Sequence, residues 1–199
     1  MGNRTFLVQL FGGKDRFFGV MRWFFFCVML LIFYMVMAGG FFRSWQPILI
    51  IPLAIAVAMR YGEYQGMLSA SVFGAVCGLV LDIACGKLFG FSGIWLLPGC
   101  LMAALLVSHL IKNNLLNFLW LNAAVCILMA VSDYFFRYIL FSADGSALVL
   151  TKFIIPSHLS AVVFSPLVYF AVKLIWFKVS PNEKVKLSLS SIEEEEDWE

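Results

Sequence analysis

Apolar residues run along this chain in long blocks, separated by short polar or glycine-bearing breaks. The blocks are longer than a buried strand needs. They match the roughly 20 residues that carry a helix across a bilayer core. They predict six helices, at about Phe17–Ala38, Phe41–Met59, Tyr64–Leu81, Phe91–Leu110, Leu115–Ile139 and Ser157–Phe177. Gly39-Gly40 breaks the first from the second, and Arg43 can snorkel at the outer end of the second. Counted from Pro47, the second helix has 13 residues, about 20 Å against a core of about 30 Å. Either Phe41–Gln46 joins it, or the segment is short and partly broken. Pro52, Pro98 and Pro166 fall inside helices two, four and six, where membrane helices tolerate them as kinks.

A second periodicity lies over the third block. Every fourth residue from Gly66 to Gly90 is small or acidic: Gly66, Ala70, Gly74, Gly78, Asp82, Gly86, Gly90. Residues four apart share a helix face. The Gly66, Ala70, Gly74, Gly78 ridge therefore lets another helix approach closely, from within the fold or from a partner. An intramolecular neighbour is the favoured occupant of most of that face.

Composition removes the soluble alternative. The chain is 62% hydrophobic and 13% charged, with mean hydropathy +0.93, against about 45–50% apolar in soluble domains. The expected fold is an all-α integral membrane protein with six transmembrane helices over residues 17–177. Residues 1–16 and 178–199 are expected to flank it in the cytoplasm. With the N-terminus inside, inner segments carry ten Lys and Arg (Arg4, Lys14, Arg16, Arg22, Arg60, Lys112, Lys173, Lys178, Lys184, Lys186). Outer segments carry four (Arg43, Lys87, Arg137, Lys152). This asymmetry puts both termini in the cytoplasm, as an even number of spans requires. The tail ends in Glu193, Glu194, Glu195, Glu196, Asp197 and Glu199. It reads as a solvated, disordered end. The first apolar run exceeds a signal core and lacks an A-x-A cleavage site.

The polar residues offer little chemistry. Cys27, Cys77, Cys85, Cys100 and Cys126 form no CxxC pair and read as small buried hydrophobes. Gly12-Gly13-Lys14 lacks the spacing of a phosphate loop, and Asp15 stands where that loop needs Ser or Thr. His109 and His158 fall at opposite ends and cannot share a metal. No catalytic, cofactor or metal constellation is expected, and no nucleic-acid partner. Asp133 and Arg137 are four apart in helix five, a spacing that suits an intramembrane ion pair. Asp82 ends helix three before a loop with Gly86 and Gly90. Two readings fit it: a carboxylate bonding loop N–H groups in a glycine turn, or a contact to a partner or ligand.

One stretch carries more than architecture. It reads Arg60-Tyr61-Gly62, Gly66, then Gly74-Ala75-Val76-Cys77-Gly78-Leu79-Val80-Leu81-Asp82, then Gly86 and Gly90, with Pro47 or Pro52 ahead of it. This resembles the bacterial rod-shape-determining MreD family. There the second helix ends in a basic residue near a glycine, and the third ends in G-L-x-x-D before a glycine-bearing loop. The likeness covers about 30 residues; the acidic tail and the register of the helix-two proline depart from the family pattern. It marks Arg60, Gly62, Asp82, Gly86 and Gly90 as family-motif residues. It implies a non-enzymatic scaffold of the bacterial inner membrane, needed for cell shape and lateral peptidoglycan synthesis. Its direct partner would be MreC; a RodA-type glycosyltransferase, a penicillin-binding transpeptidase and MreB filaments would follow indirectly. The implied fold resembles the substrate-binding subunit of energy-coupling-factor transporters. Such a vitamin-binding subunit is the alternative function. It would need a polar outer pocket, for which Asp82, Lys87, Asp133, Arg137, Asp144 and His158 are the available side chains.

Overall fold

The computed structural model describes the backbone of residues 3–39, 46–63, 67–136 and 149–179, and side chains from Gly19 onward. All regular structure among the described residues is helical. The elements are α1 (Asn3–Ala38), α2 (Ile50–Glu63), α3 (Met67–Cys85), α4 (Phe91–His109), α5 (Leu115–Tyr134), a π-helical turn (Leu150–Ile154) and α6 (Ile155–Val179). Segments Gly19–Ala38, Met67–Cys85, Phe91–His109, Leu115–Tyr134 and Leu150–Lys178 are long and apolar enough to cross a bilayer. The chain is therefore multi-pass, and its described residues are all-helical with five such segments. Gly66, Arg137, Asp144, Arg43 and the acidic tail lie outside the described residues.

Helix α2 is the exception. Its 14 residues reach about 21 Å, too short to cross the core unaided. It begins at Ile50, later than the run from Phe41 suggests. Pro52 consequently sits in its first turn and not in a kinked interior. A proline there sacrifices no hydrogen bond, because the first N–H groups have no intrahelical acceptor. Every residue from Ile50 through Arg60 is buried. A helix apolar all round belongs in a core, and α2 packs against α3, α4 and α5.

The chain forms two compact units. The larger, residues 30–170, holds α2 to α5, the adjoining part of α1 and the first part of α6. In the smaller unit, residues 1–29 and 171–199, Phe26 stacks on Trp176 at 6.4 Å between ring centroids. The Arg22 guanidinium lies 4.3 Å from the Trp176 ring centroid, a cation–π contact that lowers the cost of a charge beside an apolar run.

Glycine decides how closely the helices of the larger unit meet. A Cβ on Gly78 would lie 2.4 Å from Gly93 Cα and 2.5 Å from Gly93 N. One on Gly74 would lie 2.6 Å from Cys100 Sγ and 2.9 Å from the Leu96 carbonyl oxygen. One on Gly62 would lie 2.6 Å from the Ala104 carbonyl oxygen. Gly74 and Gly78 of α3, and Gly62 of α2, are thus all seated on α4. Ala70 is buried on α3 one turn before Gly74.

Candidate functional site

Polar side chains gather at the two ends of α3. At its C-terminal end the chain makes a two-bond Schellman turn. Gly86 N–H donates to the Ile83 carbonyl at 3.3 Å, and Lys87 N–H donates to the Asp82 carbonyl at 2.8 Å. Gly86 takes φ +59°, the left-handed conformation this motif demands. Gly90, at φ +93°, then caps α4, but has no side chain with which to do so. Asp82 supplies the missing group from the last turn of α3. Its Oδ1 and Oδ2 accept from Ser92 N–H at 3.0 and 3.1 Å. A carboxylate at a helix N-terminus satisfies an orphan donor and complements the helix dipole. Asp82 is fully buried in doing so. Asp82 thus joins the end of α3 to the first turn of α4, beside the turn that holds Gly86 and Gly90.

Lys87, from this turn, places Nζ 2.7 Å from Asp133 Oδ2 on α5. Both side chains are 9% exposed. Asp133 is thus paired with Lys87, which lies 46 residues away; Arg137, its expected local partner, lies outside the described residues. His158 on α6 is buried close enough to feel both charges. Its Nδ1–H donates to the Ile154 carbonyl at 2.9 Å. Phe91 and Phe136 meet edge to face, 5.8 Å between centroids. Of the four outer polar candidates among the described residues, Lys87, Asp133 and His158 are neighbours, while Asp82 is turned to the α4 N-terminus.

At the other end, α2 finishes with Arg60, which is buried. Arg60 Nη1 donates to Glu63 Oε2 at 2.8 Å. The same Glu63 oxygen accepts from Asn113 Nδ2 at 3.1 Å. Tyr169 O–H lies 3.1 Å from the Asn113 carbonyl oxygen and 3.3 Å from Asn113 Oδ1. The Arg60 guanidinium closes the ring, 5.9 Å from the Tyr169 centroid. A cleft of about 540 Å³ beside this ring is bounded by Glu63, Ser108, His109, Lys112, Asn113 and Asn114. Of these groups only Arg60 stands out in the sequence. The Arg60-x-x-Glu63 spacing is a readable sign of an i,i+3 pair, but Asn113 and Tyr169 carry none. Tyr169→Phe should lower thermal stability by about 1 kcal/mol, the net worth of one such bond. A melting curve in detergent measures it, and an unchanged midpoint would show that the ring is held without that hydroxyl.

These arrangements fix backbone ends and pair charges. Among the described residues no group of three His, Cys, Asp or Glu side chains could hold a metal ion. Comparison with family models, curated proteins and solved structures finds no match.

Proposed function

We propose that this chain is a non-enzymatic scaffold of the MreD type, a subunit of the cell-elongation machinery in the bacterial inner membrane. One observation carries the reading: the two halves of the Arg60–Gly90 motif end in two architectural devices. The Arg60 half closes a short buried helix with a polar ring. The G-L-x-x-D half ends in a carboxylate that joins two helices. Residues of this motif thus act as structural joints, as expected of a protein whose task is to present a surface. In this reading α2 and the five longer segments make six spans resembling a transporter substrate-binding subunit, with both termini cytoplasmic. The direct partner is an MreC-type single-span protein. RodA-type glycosyltransferase, penicillin-binding transpeptidase and MreB filaments are reached through it.

The gathering of Lys87, Asp133 and His158 at one end favours the second reading, a vitamin-binding subunit of an energy-coupling-factor transporter. A detergent pull-down of tagged protein from native membranes, with mass spectrometry, separates the two. Recovery of an MreC-type protein and elongation enzymes is the expected result. Recovery of an ATPase pair with a coupling membrane subunit would replace the scaffold reading by the transporter one.

A further inference from the structure

Between α5 and α6, in the half nearer the Asp82 turn, lies a cleft of about 300 Å³. Helix α5 contributes the small side chains Ala123, Cys126 and Ala130 to it; α6 contributes Ile155, Leu159 and Val162. His158 is the single polar side chain in an otherwise apolar lining. Ile127 and Leu159, also lining the cleft, are 64% and 62% exposed, so it opens away from the protein interior. Both helices are apolar enough to span a bilayer, and that direction is hydrocarbon. An unfilled cleft forfeits the dispersion contacts of its walls. Water gains little there, because it needs two to four polar partners and the walls offer one imidazole. A polymethylene chain suits its apolar lining and its volume of about 300 Å³.

A charge precedes the cleft in sequence, three residues before its lining residue Ile155. Lys152 occupies the π-helical turn one turn ahead of Ile155. Its side chain is exposed, and the ion pairs among the described residues, Arg60–Glu63 and Lys87–Asp133, do not involve it. A π-helical turn is a costly local geometry, often kept where a side chain must be re-aimed. We propose that the cleft and Lys152 together form a phospholipid site, with one acyl chain lying between α5 and α6 and the phosphate against the Lys152 ammonium. Because lipid tails are as apolar as the cleft walls, shape selects the chain and charge selects the head.

The test is native mass spectrometry of the full chain in detergent, titrated with phosphatidylglycerol. One tightly retained lipid is expected. Lys152→Gln should weaken its retention roughly fivefold, the effect of one basic side chain near the headgroup. Ala130→Leu, which fills the cleft, should weaken it as well. Lys178→Gln, an exposed charge on the smaller unit, should leave it unchanged. Diacylglycerol, with the chains but no phosphate, should bind wild type and Lys152→Gln alike. Millimolar inorganic phosphate should not compete. Retention indifferent to both Lys152→Gln and Ala130→Leu would overturn the site. Competition by phosphate with no effect of Ala130→Leu would reduce it to a free-anion contact and overturn it equally. Should Ala130→Leu fail to fold, the Lys152→Gln comparison between the two lipids decides alone.

Discussion

Gly78→Ala is expected to destabilise the protein by about 3 kcal/mol or more, the top of the usual range for overpacking. A single added methyl does this because its nearest neighbours would be the Cα and N of Gly93, at 2.4 and 2.5 Å. Backbone atoms in a packed helix pair have no rotamer through which to retreat. The two helices must separate, and separation unseats the Gly74–Cys100 contact along the same α4 surface. Gly93→Ala supplies the contrast. Its Cβ would meet the Ala75 carbonyl oxygen at 3.6 Å, an ordinary contact. That substitution should be neutral or stabilising, by up to about 1 kcal/mol, since alanine is the better helix former. Two glycines facing each other across one interface are thus predicted to behave oppositely. Thermal melts of both variants in the same detergent check it. Equal tolerance of the two would mean that α3 and α4 do not meet at this distance. Gly78→Leu should not give a folded monodisperse protein at all.

The contrast bears on how much of this fold the sequence discloses. The apolar blocks locate α1, α3, α4, α5 and α6, because a bilayer demands length and the chain supplies it. They do not reveal which side of each helix faces inward. Core and lipid are equally apolar, so a leucine is silent about direction. Only small or polar residues mark an interior face here, and the four-residue ladder is legible for that reason. Helix α2 is legible as a problem and not as a solution. Thirteen residues from Pro47 are recognisably too few, but nothing before Ile50 announces that the helix starts there. Asp82 stands out by its oddity, a carboxylate closing an apolar run. Its acceptance of the Ser92 N–H depends on the turn that folds α4 back along α3. The ends of the bundle are least legible. Lys87 meets Asp133 across 46 residues, and Tyr169 meets Asn113 across 56. No local spacing encodes such pairs; the i,i+4 partner that the sequence offers Asp133, Arg137, lies outside the described residues.

Lys87→Met is expected to cost about 3 kcal/mol, because it removes the ammonium 2.7 Å from a carboxylate that is 9% exposed. Asp133 and Lys87 are each 9% exposed, so neither can recover its hydration by a small rotation. The loss should not stay local. Lys87 follows Gly86 in the turn whose hydrogen bonds end α3, and Asp82 in the same turn holds the Ser92 N–H in the first turn of α4. Releasing Lys87 from α5 therefore loosens a three-helix junction. Asp133→Leu should cost a similar amount, by taking the carboxylate from an ammonium side chain that is 9% exposed. The double variant Lys87→Met with Asp133→Leu removes both desolvated charges together. It should be markedly more stable than either single variant, and close to wild type, since replacing a buried ion pair by apolar groups of similar volume is often near neutral. A double-mutant cycle read from detergent melting curves measures the coupling. Additive losses would mean that the two side chains do not interact, and that Asp133 answers to a different cation. A large coupling would establish that a charge pair buried at the Asp82 end ties α5 to the α3–α4 turn.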